Sequence, residues 1–264
     1  MKQTKQIILT FLLLTITMGV SGREGSFSLR VMSMNVKEGG QYIDYASAPY
    51  AEVIEAYNPD VVAMQEIDYM TDRNGYRDWF DEVAIGCDML PYYCKSFTYR
   101  GGGFGVGLLS KYPFFYSNKH ISVIEGSREP RAAGWICVAL PCGEVVRVAT
   151  THLALESAEI TIRNLADVQK TLFAEDTTTP TLLVGDFNST PDSSPLTFAR
   201  VTWQDIGAGT GFTIPTSNPN RRIDYVMGYP KGCWSYTEYQ IVVRADLSDH
   251  CFVVADITFT PKNK

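Results

Sequence analysis

The chain has 264 residues, with 29 acidic against 23 basic side chains and a formal charge of −6, which is not the profile of a dedicated basic nucleic-acid binder. Hydrophobic residues at 45% and charged residues at 20% describe a chain that buries a core, and they exclude the disordered, collagen and coiled-coil classes. Met1 to Gly22 begins with Lys2 and Lys5, runs through an apolar stretch from Ile7 to Ile16, and ends in the small residues Gly19, Ser21 and Gly22. This is the pattern of a signal peptide cleaved near Val20 to Gly22. An uncleaved anchor would want an apolar run of about 20 residues. No cysteine follows the run to carry a lipid. The chain is therefore expected to be exported, periplasmic or secreted, with no membrane span left after cleavage. Loss of the segment leaves 21 basic against 29 acidic residues, a charge of −8 over 242 residues. Export permits disulfides among Cys87, Cys94, Cys137, Cys142, Cys233 and Cys251, whose pairing spacing alone does not give. Cys137 and Cys251 sit in apolar runs and read equally well as small buried side chains.

Short apolar runs then recur along the chain. Leu29 to Val36, Asp60 to Gln65, Gly105 to Leu109, Trp135 to Leu140, Val145 to Thr151, Thr181 to Val184, Ile223 to Met227, Tyr239 to Val243 and Cys251 to Phe259 each read as a strand. Helical spacing appears between them, at Tyr50 to Tyr57 and at Ser157 to Phe173. Pro141-Cys142-Gly143 is a hairpin turn. Such short links predict mixed, mostly antiparallel sheets, two of them with outer helices. No linker, repeat or low-complexity stretch divides residues 23 to 264, which read as one domain.

The polar residues of interest fall at the ends of these runs. Asn35 closes the first and Glu66 the second; His152 follows the fifth; Asp186 and Asn188 follow the sixth; Asp224 opens the seventh; Asp249 and His250 precede the last. Taken singly, Asp186 fits an Asx turn, Asn35 a turn before Gly39-Gly40, and Asp249-His250 a strand cap. Charged groups at the ends of buried strands cost desolvation unless paired or bound to metal, so together they ask for one shared pocket. The third histidine, His120, reads as a surface residue.

In this order, Asn35, Gln65-Glu66, the segment Gly101 to Ser110, Thr151-His152-Leu153, Gly185-Asp186-Phe187-Asn188, Arg222-Ile223-Asp224-Tyr225 and Ser248-Asp249-His250 resemble the endonuclease/exonuclease/phosphatase superfamily, over nearly the whole mature chain. The resemblance implies an α/β fold, a four-layer α/β/β/α sandwich of two mixed sheets with the site at one rim, and cleavage of phosphate esters. Hydrolysis of an anionic ester needs a cation, an oriented water and help for the leaving oxygen. Oxygen ligands from Asn35, Glu66 and Asp249 suit Mg²⁺ or Mn²⁺, with Glu66 foremost. By the same resemblance Asp186 activates the attacking water and Asn188 holds water or phosphate. Asp224 raises the basicity of His250, whose imidazolium binds phosphate, and His152 is a second phosphate ligand or the acid for the leaving group. Arg128 or Arg131 matches a phosphate-contacting arginine, the alternative being a solvated loop. Phe104 stands near where many members carry a tyrosine, so either Tyr99 or Tyr225 compensates or the phosphate is held differently, and the glycines before it read as a turn.

These readings favour a monomeric, secreted phosphodiesterase or phosphatase acting on a small, lipid-linked or sugar-linked phosphate. A nuclease is the alternative that the charge does not favour. The third reading is a non-catalytic phosphate-ligand binding protein, against which the full set of catalytic residue types argues. Pro113 to Tyr116 is the one stretch suited to a bilayer-seeking hairpin.

Overall fold

The computed structural model describes residues 25–262, so the expected signal segment, Met1 to Gly22, lies outside the described residues. Twelve strands form two sheets. They are β1 (Phe27–Asn35), β2 (Val61–Tyr69), β3 (Leu90–Tyr99), β4 (Gly102–Ser110), β5 (Phe114–Ser122), β6 (Arg131–Ala139), β7 (Val145–His152), β8 (Thr181–Asp186), β9 (Gln204–Asp205), β10 (Asp224–Tyr229), β11 (Trp234–Val242) and β12 (Phe252–Phe259). One sheet runs β11-β12-β1-β2-β4-β3 and the other β5-β6-β7-β8-β10-β9. Each has a single parallel pair at its centre, β1 with β2 and β7 with β8, and antiparallel neighbours elsewhere.

The central strands read as unbroken apolar runs because both of their faces are covered. Alternate residues go to alternate layers. Val31 and Ala63 of the first sheet meet Ile136, Val148 and Val184 of the second in the core between the sheets. Beyond the single distorted turn of α1 (Lys37–Gly40), the intervening Met32, Met34, Val62 and Met64 face outward onto helices α2 (Ala48–Tyr57) and α3 (Trp79–Gly86). On the far side Trp135, Leu183, Tyr225 and Met227 pack beneath α4 (Ala158–Glu175) and α5 (Ser194–Thr202). Four layers result, α/β/β/α, as the sequence led us to expect. The Ser157 hydroxyl caps α4 by accepting from the Ile160 amide at 3.2 Å, and Asp78 caps α3 from the Asp81 amide at 3.1 Å.

Arg100 (φ +44) and Gly101 (φ +82) make the two-residue β3–β4 hairpin, so the glycine-rich segment is a turn. Pro141 to Gly143 likewise turns β6 into β7, with the Leu140 amide donating to the Glu144 carbonyl at 2.8 Å. Pro113 to Tyr116 opens the edge strand β5, pairing Phe114 with Val138, at the end of the sheet away from Arg131. His120 is half-buried, bonded through Nε2 to Asp167 at 2.7 Å, so it ties β5 to α4 where we had expected a surface residue. No disulfide joins the six cysteines; Cys137 and Cys251 are buried. Among the described residues no helix is long and apolar enough to cross a membrane.

Candidate active site

Sheet register assembles the site. The parallel pairs end side by side, with Asn35 opposite Gln65 and His152 opposite Asp186, and the antiparallel β10 sets Asp224 opposite Asp186. The C-terminal ends of parallel strands are where open α/β sheets place ligands. Gln65 spans the two sheets at this rim, its Nε2 donating to Thr150 Oγ1 at 3.1 Å. Ser248 draws the last segment in: its hydroxyl donates to the Asn35 carbonyl at 2.7 Å and accepts from the His250 amide at 3.1 Å.

Glu66 reaches the rim through a bulge. Met64 pairs with Gly107 but Ile67 with Gly105, so one extra residue lies on β2. Met64 and Ile67 both face the outer core, a spacing that regular alternation forbids, and Glu66 takes φ +62 between them. A bulge re-aims a side chain in this way, and an αL glutamate costs on the order of 1 kcal/mol that the surrounding packing must offset.

Glu66, Asp186 and His250 bring potential ligand atoms within 4.8 Å of one another. Asn35 Nδ2 lies between the acids, donating to Glu66 at 2.9 Å and to Asp186 at 3.2 Å. Asp186 is buried and accepts from the Asn188 amide at 2.8 Å, the Asx turn allowed for in the sequence, while Asn188 Nδ2 donates to the Leu153 carbonyl at 2.9 Å. His152 Nε2 is 3.5 Å and His250 Nε2 3.7 Å from Asp186 Oδ2. Asp224 takes His250 Nδ1 at 3.0 and 3.2 Å.

The electrostatics separate the titrating groups. Burial, reinforced by the nearby Asp224 and Glu66 charges, pushes the Asp186 carboxyl up to about 7, although His250 works against the rise. His250 loses stability as a cation through burial, yet Asp224 foremost, then Asp186 and Glu66, raise it to about 10. It is therefore an imidazolium, with both ring nitrogens carrying protons, and a group in that state donates hydrogen bonds instead of ligating metal. His152 goes the other way: burial first, then the charges of Arg131, His250 and Lys37, hold it neutral.

The expected residues do not all converge. Asp249 lies outside the three-residue ligand group and ion-pairs Lys37 Nζ at 3.1 Å; its Oδ1 is buried without a partner. Arg131 is buried and lines the pocket, with Nη1 3.2 Å from Glu129 and Nε unpartnered. Arg128 is exposed and does not line it. Tyr99 lines the pocket beside Phe104, whereas the Tyr225 hydroxyl is buried behind it, donating toward the Ser189 and Arg222 carbonyls. Sequence reading missed Lys37, Glu38 and Arg73. Lys37 and Glu38 adjoin Asn35 in a left-handed turn (φ +45 and +53), and a basic residue two past Asn35 was a usable signal. Arg73 gave none; it is held over the pocket by Asp68 and Glu38.

A four-layer sandwich whose central strands deliver carboxylates, an amide and a carboxylate-held histidine to one rim has the architecture of a phosphoesterase. The chain belongs to the Endonuclease/Exonuclease/phosphatase family, whose model matches residues 32–250. Among solved structures, it is similar to an endonuclease/exonuclease/phosphatase from Bacteroides vulgatus (18% identity, 88% of this chain and 98% of that one, TM-score 0.71). It also resembles the human Nocturnin catalytic domain with bound sulfate (16%, 88% and 95%, TM-score 0.70). A third is the Bacteroides thetaiotaomicron mannosyl-6-phosphatase (14%, 87% and 99%, TM-score 0.68). No curated protein sequence matches the chain.

Proposed function

We propose that the protein is an exported, divalent-metal-dependent hydrolase of phosphate esters, a phosphodiesterase or phosphatase acting on a small, sugar-linked or lipid-linked phosphate. The observation that carries this reading is the floor of the pocket, where Glu66, Asp186 and His250 converge with Asp224 behind the histidine. Glu66 and Asp186 offer hard oxygen atoms of the kind that hold Mg²⁺ or Mn²⁺, Asn35 turns its amide nitrogen to both with its Oδ1 on the Lys37 amide, and Asp249 keeps Oδ1 without a partner while Oδ2 pairs with Lys37. A bound cation would supply charge neutralisation on the phosphate.

The chain's own groups do the rest. Asp186, poised near neutrality, accepts the proton of the attacking water at a carboxylate oxygen as the water oxygen bonds to phosphorus. The P–O ester bond breaks, and the departing oxygen takes a proton from water in the open pocket. His250 donates Nε2–H to the phosphate while Asp224 keeps its Nδ1–H in place. His152, held neutral, serves better as an N–H donor to phosphate than as a stored acid. Arg131 presents a guanidinium alongside.

Export rests on the Met1 to Gly22 pattern, and the mass of the mature N-terminus checks it. The catalytic reading is tested by turnover of p-nitrophenyl phosphate and its bis-ester with Mg²⁺ or Mn²⁺. We expect loss on chelation, recovery on adding metal back, and at least a hundredfold loss in Asp186→Asn and His250→Ala. Activity that survives chelation and both substitutions would overturn it.

A further inference from the structure

The walls of the pocket repeat one arrangement on two flanks. On the first, the Arg73 guanidinium lies 4.9 Å from the Tyr99 ring and is bonded to both Asp68 and Glu38. On the second, Arg131 pairs with Glu129, and these two share a niche with His152, Phe97 and Phe104, whose ring centroids are 5.5 Å apart. The remaining cation, Lys37, is held by Asp249. Every basic side chain that lines the pocket thus already carries a carboxylate of the chain.

That pattern is wrong for a polyanion. Polynucleotide binding draws on unpaired Lys and Arg that follow successive phosphates. Phosphates flanking the scissile one would here meet Glu38 and Glu129. The cavity, about 320 Å³, lies at the small end of the range for small-molecule sites. Neutral hydroxyls, by contrast, donate well to fixed carboxylates, and a ring with an apolar C–H face packs flat on aromatic side chains.

We propose that the substrate is a phosphate monoester of a compact, uncharged, polyhydroxylated ring of the sugar or cyclitol kind. Glu129 and Glu38 accept its hydroxyls, and Phe97 and Phe104 support its apolar face. This rests on the hydrolase reading above and names its substrate class.

The test compares kcat/KM of the purified, metal-supplemented protein for hexose 6-phosphates and myo-inositol monophosphate with that for a thymidine dinucleotide and single-stranded DNA. Calorimetry on Asp186→Asn with the same sugar phosphates measures binding apart from turnover. The expected result is at least a hundredfold preference for the polyol monophosphates, reduced at least tenfold in both Glu129→Ala and Phe97→Ala; a site built to bond hydroxyls discriminates by at least this much. Thermal melts confirm that both variants are folded, and Phe97→Ala leaves the Arg131 ion pair in place. Preference for the dinucleotide or DNA, or a preference that neither variant alters, overturns the substrate class and leaves the hydrolase standing. Binding of sugar phosphates with no ester turned over supports the class and overturns the hydrolase.

Discussion

Replacing Asp224 by Asn removes one charge and almost no volume from the back of the site. In the wild type its carboxylate sits 3.0 and 3.2 Å from His250 Nδ1, with both residues buried. The rise of His250 from 6.5 to about 10 corresponds to roughly 5 kcal/mol in favour of the imidazolium, and Asp224 is the largest of its raising causes. Losing it leaves only Asp186 and Glu66 to oppose burial, so the histidine titrates well below 10 and moves toward its neutral form near pH 7. Removing one partner of a buried pair costs about 3–5 kcal/mol, which for a chain of this size lowers Tm by roughly 10 °C. The pH dependence has a definite sign. A folded-state value above the unfolded one gives stability that is complete below about 6.5 and lost as pH rises through about 10. The Tm gap between wild type and variant therefore closes above pH 7 and vanishes past pH 10. In turnover, kcat/KM at pH 7.5 falls by roughly 10²–10⁴, and the alkaline limb of the profile moves down by at least two pH units. NMR titration of the His250 ring reads the same shift directly. An unchanged alkaline limb with an unchanged ring titration would show that Asp224 does not hold the imidazolium.

Metal titration followed by differential scanning fluorimetry should raise the Tm of the wild type, because a cation relieves the crowded carboxylates, and Glu66→Gln should weaken Mg²⁺ binding by at least tenfold in calorimetry. The wild-type acid limb, set near 7 by Asp186, should move to lower pH as Mg²⁺ is raised; a limb indifferent to Mg²⁺ would separate Asp186 from the cation. Lys37→Met should tighten Mg²⁺ binding by about threefold to tenfold, since it removes an ammonium that interacts with Glu66 and Asp249, and equal or weaker binding would refute that competition. Gly185→Ala should cost at least 2 kcal/mol in urea unfolding together with most of the activity. Its Cβ would stand 2.1 Å from the Thr151 carbonyl, between the strand ends that carry His152 and Asp186.

What the sequence revealed follows burial. β1, β2, β7 and β8 are covered on both faces; the ends of β1, β7 and β8 were read to within two residues, while β2 runs on past Gln65 to Tyr69 through its bulge. β3, β5 and β9 went unseen, and all three lie at or form a sheet edge, where one neighbour is missing and polar residues such as Ser117, Asn118 and Lys119 of β5 stand among the apolar ones. α3 and α5, of eight and nine residues, are shorter than the stretch over which a helical period can be told from other patterns. The floor of the site was legible because Asp186 ends β8, Asp224 opens β10, His250 stands two residues before β12, and Glu66 follows the apolar run at the start of β2. The walls were not. Arg73 and Glu38 meet only because Asp68, at the end of a bulged β2, anchors the guanidinium across a loop, and Phe97 reaches the pocket through a bulge between Lys95 and Phe97. Bulges and loops leave no period in the sequence. Glu129 stood in a segment singled out for its arginines, and its own part appears only once Arg131 is seen to turn inward.

The negative net charge, which argued against nucleic acid, acts through the local pairing at the site. Lys37 and Arg131 are each matched by one acid and Arg73 by two, Asp68 and Glu38, so the walls are close to neutral with no positive surplus. The floor is not. Glu66, Asp186 and Asp224 face a single imidazolium, His250, since His152 is held neutral, and three carboxylates against one cation leave two negative charges. Unmatched charges in a buried site raise a carboxyl's pKa until one acid gives way, and Asp186, pushed up to about 7, is the one that does. Two negative charges are what one divalent cation would neutralise. On the proposed function, a bound cation would let Asp186 stay ionised and so serve as the base, which would tie metal dependence, the acid limb of the pH profile and the stability of the strand ends to one electrostatic balance.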